Sequence, residues 1–175
     1  MGGEIGAESS VGVGSVFWID LDAAANVDAV AAEAAEPAAK SGLATGARLR
    51  TVLCVEDNPA NLKLVAKLLA RRPDIRLLSA KDGRRGVALA RTAVPDVILM
   101  DINLPGMSGL DALQMLAGDP ATGHIPVIAL SANAMPRDIE RGLEAGFFRY
   151  LTKPIEVGEF MHTLDLALEL ARTPP

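Results

Sequence analysis

Three carboxylates stand directly after short apolar runs: Glu56 and Asp57 after Val52-Leu53-Cys54-Val55, and Asp101 after Val97-Ile98-Leu99-Met100. Continuous apolar runs of this kind read as strands covered by helices on both faces. In open parallel sheets, ligands bind beyond the carboxyl ends of the strands, where the strand order reverses. If the two strands carrying these acids are neighbours, the side chains converge on one crevice although about 45 residues separate them in the chain. Asp96 serves as a control. It opens the second run, and five residues at about 3.3 Å each put it about 16 Å from Asp101, at the opposite edge of the sheet. It is excluded from the site.

Clustered carboxylates repel one another, and relief comes from raised pKa values or from a bound cation. All-oxygen ligation completed by water suits Mg²⁺, which takes one or two protein carboxylates together with phosphate oxygens. Two further strand ends supply complementary groups. The run Val127-Ile128-Ala129-Leu130 ends at Ser131, and a later strand ends at Lys153, followed by Pro154. A phosphoryl group carried on a carboxylate requires an ammonium and a hydroxyl beside it, each donating to a phosphoryl oxygen. The plainer alternative makes the acids helix caps, the serine a turn residue and the lysine a solvated charge. The five residues taken together favour the chemical reading.

The elements that must hold these groups are legible as well. Weaker strands at 75–79 and 147–152 bring the number to five. The first helix is capped by Asn58, has Pro59 at its first position, and runs through Leu62, Val65 and Leu69 to Arg71 and Arg72. Those two arginines suit the negative end of the helix dipole. The last helix carries Val157, Met161, Leu164 and Leu168 at helical spacing. Five strands alternating with five helices over about 120 residues predict an α/β fold, a doubly wound parallel sheet.

Composition narrows the class further. The chain has 175 residues, one cysteine, six aromatics and a net charge of -5, a balance that argues against a nucleic-acid surface. Cys54 lies inside an apolar run and reads as a small buried hydrophobe. No apolar stretch reaches the 18 or so residues of a bilayer span, and no secretory signal is visible, so no membrane contact and a cytoplasmic location are expected. Residues 22–48 hold twelve alanines, four acids, Pro37, Gly42 and Gly46, with no large apolar residue at helical spacing before Leu43. They read as a linker.

Residues 51–171 resemble a response-regulator receiver domain. The resemblance rests on Val55-Glu56-Asp57-Asn58, on Leu99-Met100-Asp101-Ile102-Asn103-Leu104-Pro105-Gly106-Met107-Ser108-Gly109, on Leu130-Ser131-Ala132, and on Tyr150-Leu151-Thr152-Lys153-Pro154. It implies a flavodoxin-like five-stranded sheet in the order 2-1-3-4-5, within a receiver domain spanning 49–172. It further implies Asp101 as phospho-acceptor, Asp57 as direct Mg²⁺ ligand, Glu56 acting through water, and the Asn103 carbonyl completing the protein ligands. Ser131 would be the switch hydroxyl, Tyr150 the rotating aromatic and Lys153 the phosphoryl contact. The implied partners are a histidine-kinase phosphodonor and a histidine phosphotransfer protein.

Residues 1–21 are Gly-rich and end in alternation at Val16, Trp18 and Leu21. They resemble the last hairpin of a histidine-kinase ATP-binding domain, where a Gly-x-Gly pair (here Gly12 and Gly14) precedes the final Ser-x-Phe strand. The order of kinase end, linker and receiver is that of the C-terminal part of a hybrid sensor histidine kinase. The chain contains no dimerisation helix with a phospho-accepting histidine and no nucleotide-binding boxes, and neither His124 nor His162 has kinase context. It is therefore expected to accept a phosphoryl group and not to bind ATP. No DNA-binding segment follows Ala171, so output is expected through phosphotransfer or protein contact. Two alternatives stay open. An aspartyl-phosphate phosphatase of the haloacid-dehalogenase type would need a second acid two positions after the nucleophile, where Asn103 stands. A pseudo-receiver would use the same fold as an interaction surface without taking up phosphate.

Overall fold

The computed structural model describes residues 3–10, 14–21 and 49–171. The chain divides into two compact units, Met1–Gly42 and Leu43–Pro175. In the first, β1 (Gly3–Ser10) and β2 (Gly14–Leu21) pair antiparallel, with Gly3 opposite Leu21 and Ser10 opposite Gly14. The alternating segment at the chain start is thus one strand of a two-stranded ribbon. The segment read as a linker, 22–48, lies outside the described residues.

The second unit alternates strand and helix throughout: β3 (Arg50–Val55), α1 (Pro59–Leu69), β4 (Ile75–Ala80), α2 (Gly83–Ala93), β5 (Val97–Asp101), α3 (Gly109–Ala117), β6 (Val127–Ser131), α4 (Pro136–Glu144), β7 (Arg149–Thr152) and α5 (Val157–Leu170). Its five strands are all parallel, in the order β4-β3-β5-β6-β7, which is 2-1-3-4-5 within this unit. The central strands are apolar on both faces because each face has its own helical layer. Leu53, Val55, Ile98, Met100, Val127 and Ala129 pack with Val87 and Ala90 of α2 and with Ala112, Leu113 and Leu116 of α3. The alternate residues Val52, Cys54, Val97, Leu99, Ile128 and Leu130 pack with Val65 and Leu69 of α1 and with Phe160, Leu164 and Leu168 of α5. Each fully buried Val, Leu, Ile, Phe or Met side chain among them stabilises by about 1.5–3 kcal/mol. Cys54 is buried too, as its apolar surroundings predict.

Several boundaries differ from the sequence reading. Helix α1 stops at Leu69, short of the two arginines. Arg72 turns back instead to bind Asp74 at 2.9 Å and Asp165 at 2.7 Å. Its charge serves two carboxylates rather than the helix end, and those bonds hold its pKa above the ordinary value. The last strand is only Arg149–Thr152, and Phe147, just before it, is buried in the core. In α5 the buried stripe is Phe160, Thr163, Leu164, Ala167 and Leu168, while Val157 at the first helical position is half exposed. Among the described residues, no helix is long and apolar enough to cross a membrane.

Candidate functional site

The parallel ladder continues one residue past the strands at three of the ends that carry the polar groups. Glu56 N–H donates to Ala80 O at 3.0 Å, Ile102 N–H to Leu130 O at 3.0 Å, and Lys153 N–H to Ser131 O at 2.7 Å. The first residue beyond β3, β5 and β7 is therefore pinned to its neighbour, and the side chains at these ends start from a rigid edge. Helix α1 then begins at once: Asn58 Oδ1 accepts from Ala60 N–H at 2.9 Å, and Pro59 occupies the first turn. That cap turns Glu56 inward and Asp57 outward. Glu56 is 1% exposed and Asp57 is exposed.

Burial of Glu56 is possible because both carboxylate oxygens are satisfied. Oε1 accepts from Asn58 N–H at 3.2 Å and from Asn61 Nδ2 at 3.0 Å, while Oε2 accepts from Lys153 Nζ at 2.7 Å. Asp101, 5% exposed, is treated alike: Oδ1 accepts from Asn103 N–H at 2.9 Å and Oδ2 from Lys153 Nζ at 2.7 Å. Burial works against the Lys153 charge, but the hydrogen bonds to Asp101 and Glu56 outweigh it and hold its pKa above the usual lysine value. The loop after Asp101 comes back against α3 at Gly109. A Cβ there would collide with the Asp101 carbonyl and lie 2.9 Å from Ile102 Cα.

Carboxylate oxygens of Glu56, Asp57 and Asp101 all come within 4.8 Å of one another. Three converging hard oxygen donors, one of them exposed to solvent, fit a small divalent cation that keeps part of its water shell. Asp96 lies where the strand geometry put it. It caps the opposite edge, accepting from Thr51 N–H at 2.7 Å and from Arg50 at 2.9 Å, at the start of β3.

Ser131 and Tyr150 sit one step away. Ser131 Oγ, buried, accepts from Asn133 N–H at 3.0 Å, and the Tyr150 hydroxyl donates to Asn133 O at 3.3 Å. Both border a cavity of about 220 Å³ lined also by Ile102, Asn103, Leu110 and Gly142. Neither hydrogen-bonds Asp101 in this state. The structure thus gathers Glu56, Asp57, Asp101, Asn103 and Lys153 tightly, with Ser131 and Tyr150 across the adjacent cavity. Sequence reasoning passed over Asn61, Asn133 and Gly142. Asn61 carries a signal, since it falls in the first turn of the helix that follows Glu56. The other two are placed by the approach of α4 to β7, which no local pattern encodes.

A doubly wound sheet whose switch-point crevice joins an acid triad to a lysine defines a class of signalling domain. The chain belongs to the response regulator receiver domain family, which matches residues 52–165. It is 41% identical to the polar-differentiation response regulator DivK of Brucella anthropi over 115 residues, 66% of this chain and 93% of that protein. Among solved structures, it is similar to the receiver domain of a sensor histidine kinase from Pseudomonas aeruginosa PAO1, which has a magnesium ion coordinated in its active-site cleft. That match has a TM-score of 0.63 at 34% identity and covers 69% of this chain and 98% of that one. The signal receiver domain of a signal transduction histidine kinase from Syntrophus aciditrophicus matches with a TM-score of 0.63 at 30% identity, covering 71% of this chain and 95% of that one. The second unit is thus a receiver domain of two-component signalling, a phospho-acceptor module and not a kinase.

Proposed function

We propose that Asp101 is the phospho-acceptor of this domain. The observation that carries the reading is the Lys153 ammonium bridging Glu56 and Asp101 at 2.7 Å each, beside three carboxylates that share one crevice. A carboxylate oxygen of Asp101 attacks the phosphorus of a phosphohistidine in line. The O–P bond forms as the N–P bond breaks, and the imidazole leaves with its electron pair. Lys153 then donates to one phosphoryl oxygen and Ser131, leaving Asn133 N–H, donates its hydroxyl to another. Glu56, Asp57 and Asp101, with the carbonyl of Asn103, would hold Mg²⁺, which when bound supplies neutralisation of the charge building on the phosphoryl oxygens. Movement of Ser131 frees room for the Tyr150 ring, so that a local charge change biases a two-state packing of β6, α4 and β7.

The family supports a histidine-kinase phosphodonor, and the finer reading adds a histidine phosphotransfer protein as the receiving partner. We assign 1–21 to the end of a kinase ATP-binding domain, 22–48 to a linker and 49–172 to the receiver, in a cytoplasmic hybrid histidine kinase. Support for that origin is the Gly-rich hairpin sequence ahead of the receiver, together with the likeness to receiver domains of two histidine kinases. The test is incubation with acetyl phosphate and Mg²⁺ followed by intact mass. One phosphoryl group per chain is expected, dependent on divalent metal and lost in Asp101→Asn. Uptake by Asp101→Asn, or full uptake in excess chelator, would refute the assignment.

A further inference from the structure

Two donors from the start of α1 converge on one oxygen of Glu56. Asn58 N–H reaches Oε1 at 3.2 Å, and Asn61 Nδ2 reaches it at 3.0 Å. Pro59 is the first residue of α1, so Asn61 is the third, about one turn beyond the Asn58 cap. Side chains on a helix lean toward its N-terminus, which carries the Asn61 amide back over the end of β3. The helix itself does not need that amide. Its cap is the Asn58 side chain, which accepts from Ala60 N–H at 2.9 Å, and asparagine is a poorer helix former than alanine. Among the described residues, the Asn61 side chain hydrogen-bonds Glu56 alone.

Glu56 depends on such a donor more than Asp101 does. The Asp101 side chain is short, the ladder bond at Ile102 fixes the backbone beside it, and Asn103 N–H holds its Oδ1 at 2.9 Å. Glu56 reaches the crevice through one torsion more, and its Oε2 rests on Lys153, a flexible side chain shared with Asp101. Even so, a Glu56 oxygen lies within 4.8 Å of those of Asp57 and Asp101. The Asn61 amide is a neutral donor, so it orients the carboxylate and leaves the crevice as negative as before. Resting on the reading of this crevice as a Mg²⁺ site, we propose that Asn61 is a positioning residue for the ion. It holds the Glu56 carboxylate where that group joins Asp57 and Asp101. Removing a donor that stands behind the ligands of a metal site weakens metal binding by about 10–100-fold. Glu56 keeps Asn58 N–H and Lys153 when Asn61 is lost, so the lower end of that range applies here.

The experiment uses the full chain as wild type, Asn61→Ala, Glu56→Ala and the double variant, with Mg²⁺ titrated in the absence of any phosphodonor. Binding is read by NMR from the amide resonances of Ile102 and Asn103. The expected result is a Kd raised about ten-fold in Asn61→Ala, with no further effect of that substitution once Glu56 is alanine. Alanine is the better helix former, so α1 retains its structure, and Asn61→Leu, similar in shape but without the donor, should show the same loss. With acetyl phosphate added, the Mg²⁺ concentration for half-maximal phosphorylation should rise by the same factor, while the rate at saturating Mg²⁺ stays within about two-fold of wild type. Wild-type affinity in both Asn61 variants would overturn the inference. So would an equal loss in the Glu56→Ala background, which would place the effect somewhere other than Glu56. A wild type that shows no response to Mg²⁺ would overturn the metal reading of the crevice and this inference with it.

Discussion

Lys153→Ala isolates the electrostatic problem that the crevice has to solve. The ammonium donates to Glu56 Oε2 and Asp101 Oδ2 at 2.7 Å each, and those residues are only 1% and 5% exposed. Without it, two buried carboxylates face each other with no cation between them. Breaking a buried pair by removing one partner costs about 3–5 kcal/mol. Here Asn58 N–H, Asn61 and Asn103 N–H still serve the other oxygen of each carboxylate, and the lysine side chain is itself 17% exposed. Both facts place the loss lower, at about 2–3 kcal/mol. For a domain of this size each kcal/mol shifts Tm by about 4 °C, so the metal-free melt should fall by about 8–12 °C.

The same variant makes a second, opposite demand on the metal. An ion that binds the folded crevice and not the unfolded chain adds RT ln(1 + [L]/Kd), about 2.7 kcal/mol at a hundred times Kd. Loss of the ammonium leaves the crevice more negative, so Mg²⁺ should raise Tm further in Lys153→Ala than in wild type. Asp57→Ala provides the contrast. It removes an exposed carboxylate and leaves the lysine bridge intact, so its metal-free stability should change by less than about 0.5 kcal/mol while the Mg²⁺ increment disappears. Thermal melts of the three proteins at pH 7, in chelator and in Mg²⁺, decide the matter. The pH is chosen by sign. The folded-state pKa of Lys153 is raised, so its stabilisation is complete below the ordinary lysine value of 10.5 and is lost only as pH rises through the raised one. A Lys153→Ala melt within 2 °C of wild type in chelator, or equal Mg²⁺ increments in the two, would refute this account of the crevice.

Two further expectations concern the scaffold. Val94, closing α2 at φ 41°, ψ 66° and itself 45% exposed, sits in left-handed backbone that costs an L-residue about 1–2 kcal/mol. Allowing for the extra entropy of glycine in the unfolded chain, Val94→Gly should stabilise by about 0.5–1 kcal/mol, and a lowered denaturant midpoint would contradict it. The Cys54 thiol is pushed up to about 12, first by burial and then by the charge of Glu56. It should resist a thiol reagent at pH 8 until the domain unfolds, and complete labelling within minutes under native conditions would count against that burial.

The site was legible in the sequence to the extent that backbone topology alone positions it. Glu56, Asp57, Asp101, Ser131 and Lys153 each stand at or just past the carboxyl end of a strand, and the strands declare themselves by runs too apolar to face water. Placement follows from the ladder, whose hydrogen bonds at Glu56, Ile102 and Lys153 carry the register one residue beyond the strands. Features set by how one helix leans on its neighbours were not legible. Helix α1 ends at Leu69, and Arg72, just before Pro73, reaches Asp165, 93 residues away, a contact that no local signal marks. Val157 falls at helical spacing with Met161 and Leu164, yet it opens the helix where α5 emerges from the sheet, and so it stays half exposed. Gly142 and Asn133 belong to the same category. Their contacts with Tyr150 exist only once α4 packs on β7, so the acids and the lysine of the crevice can be read along the chain, while the seat of the aromatic ring has to be read across it.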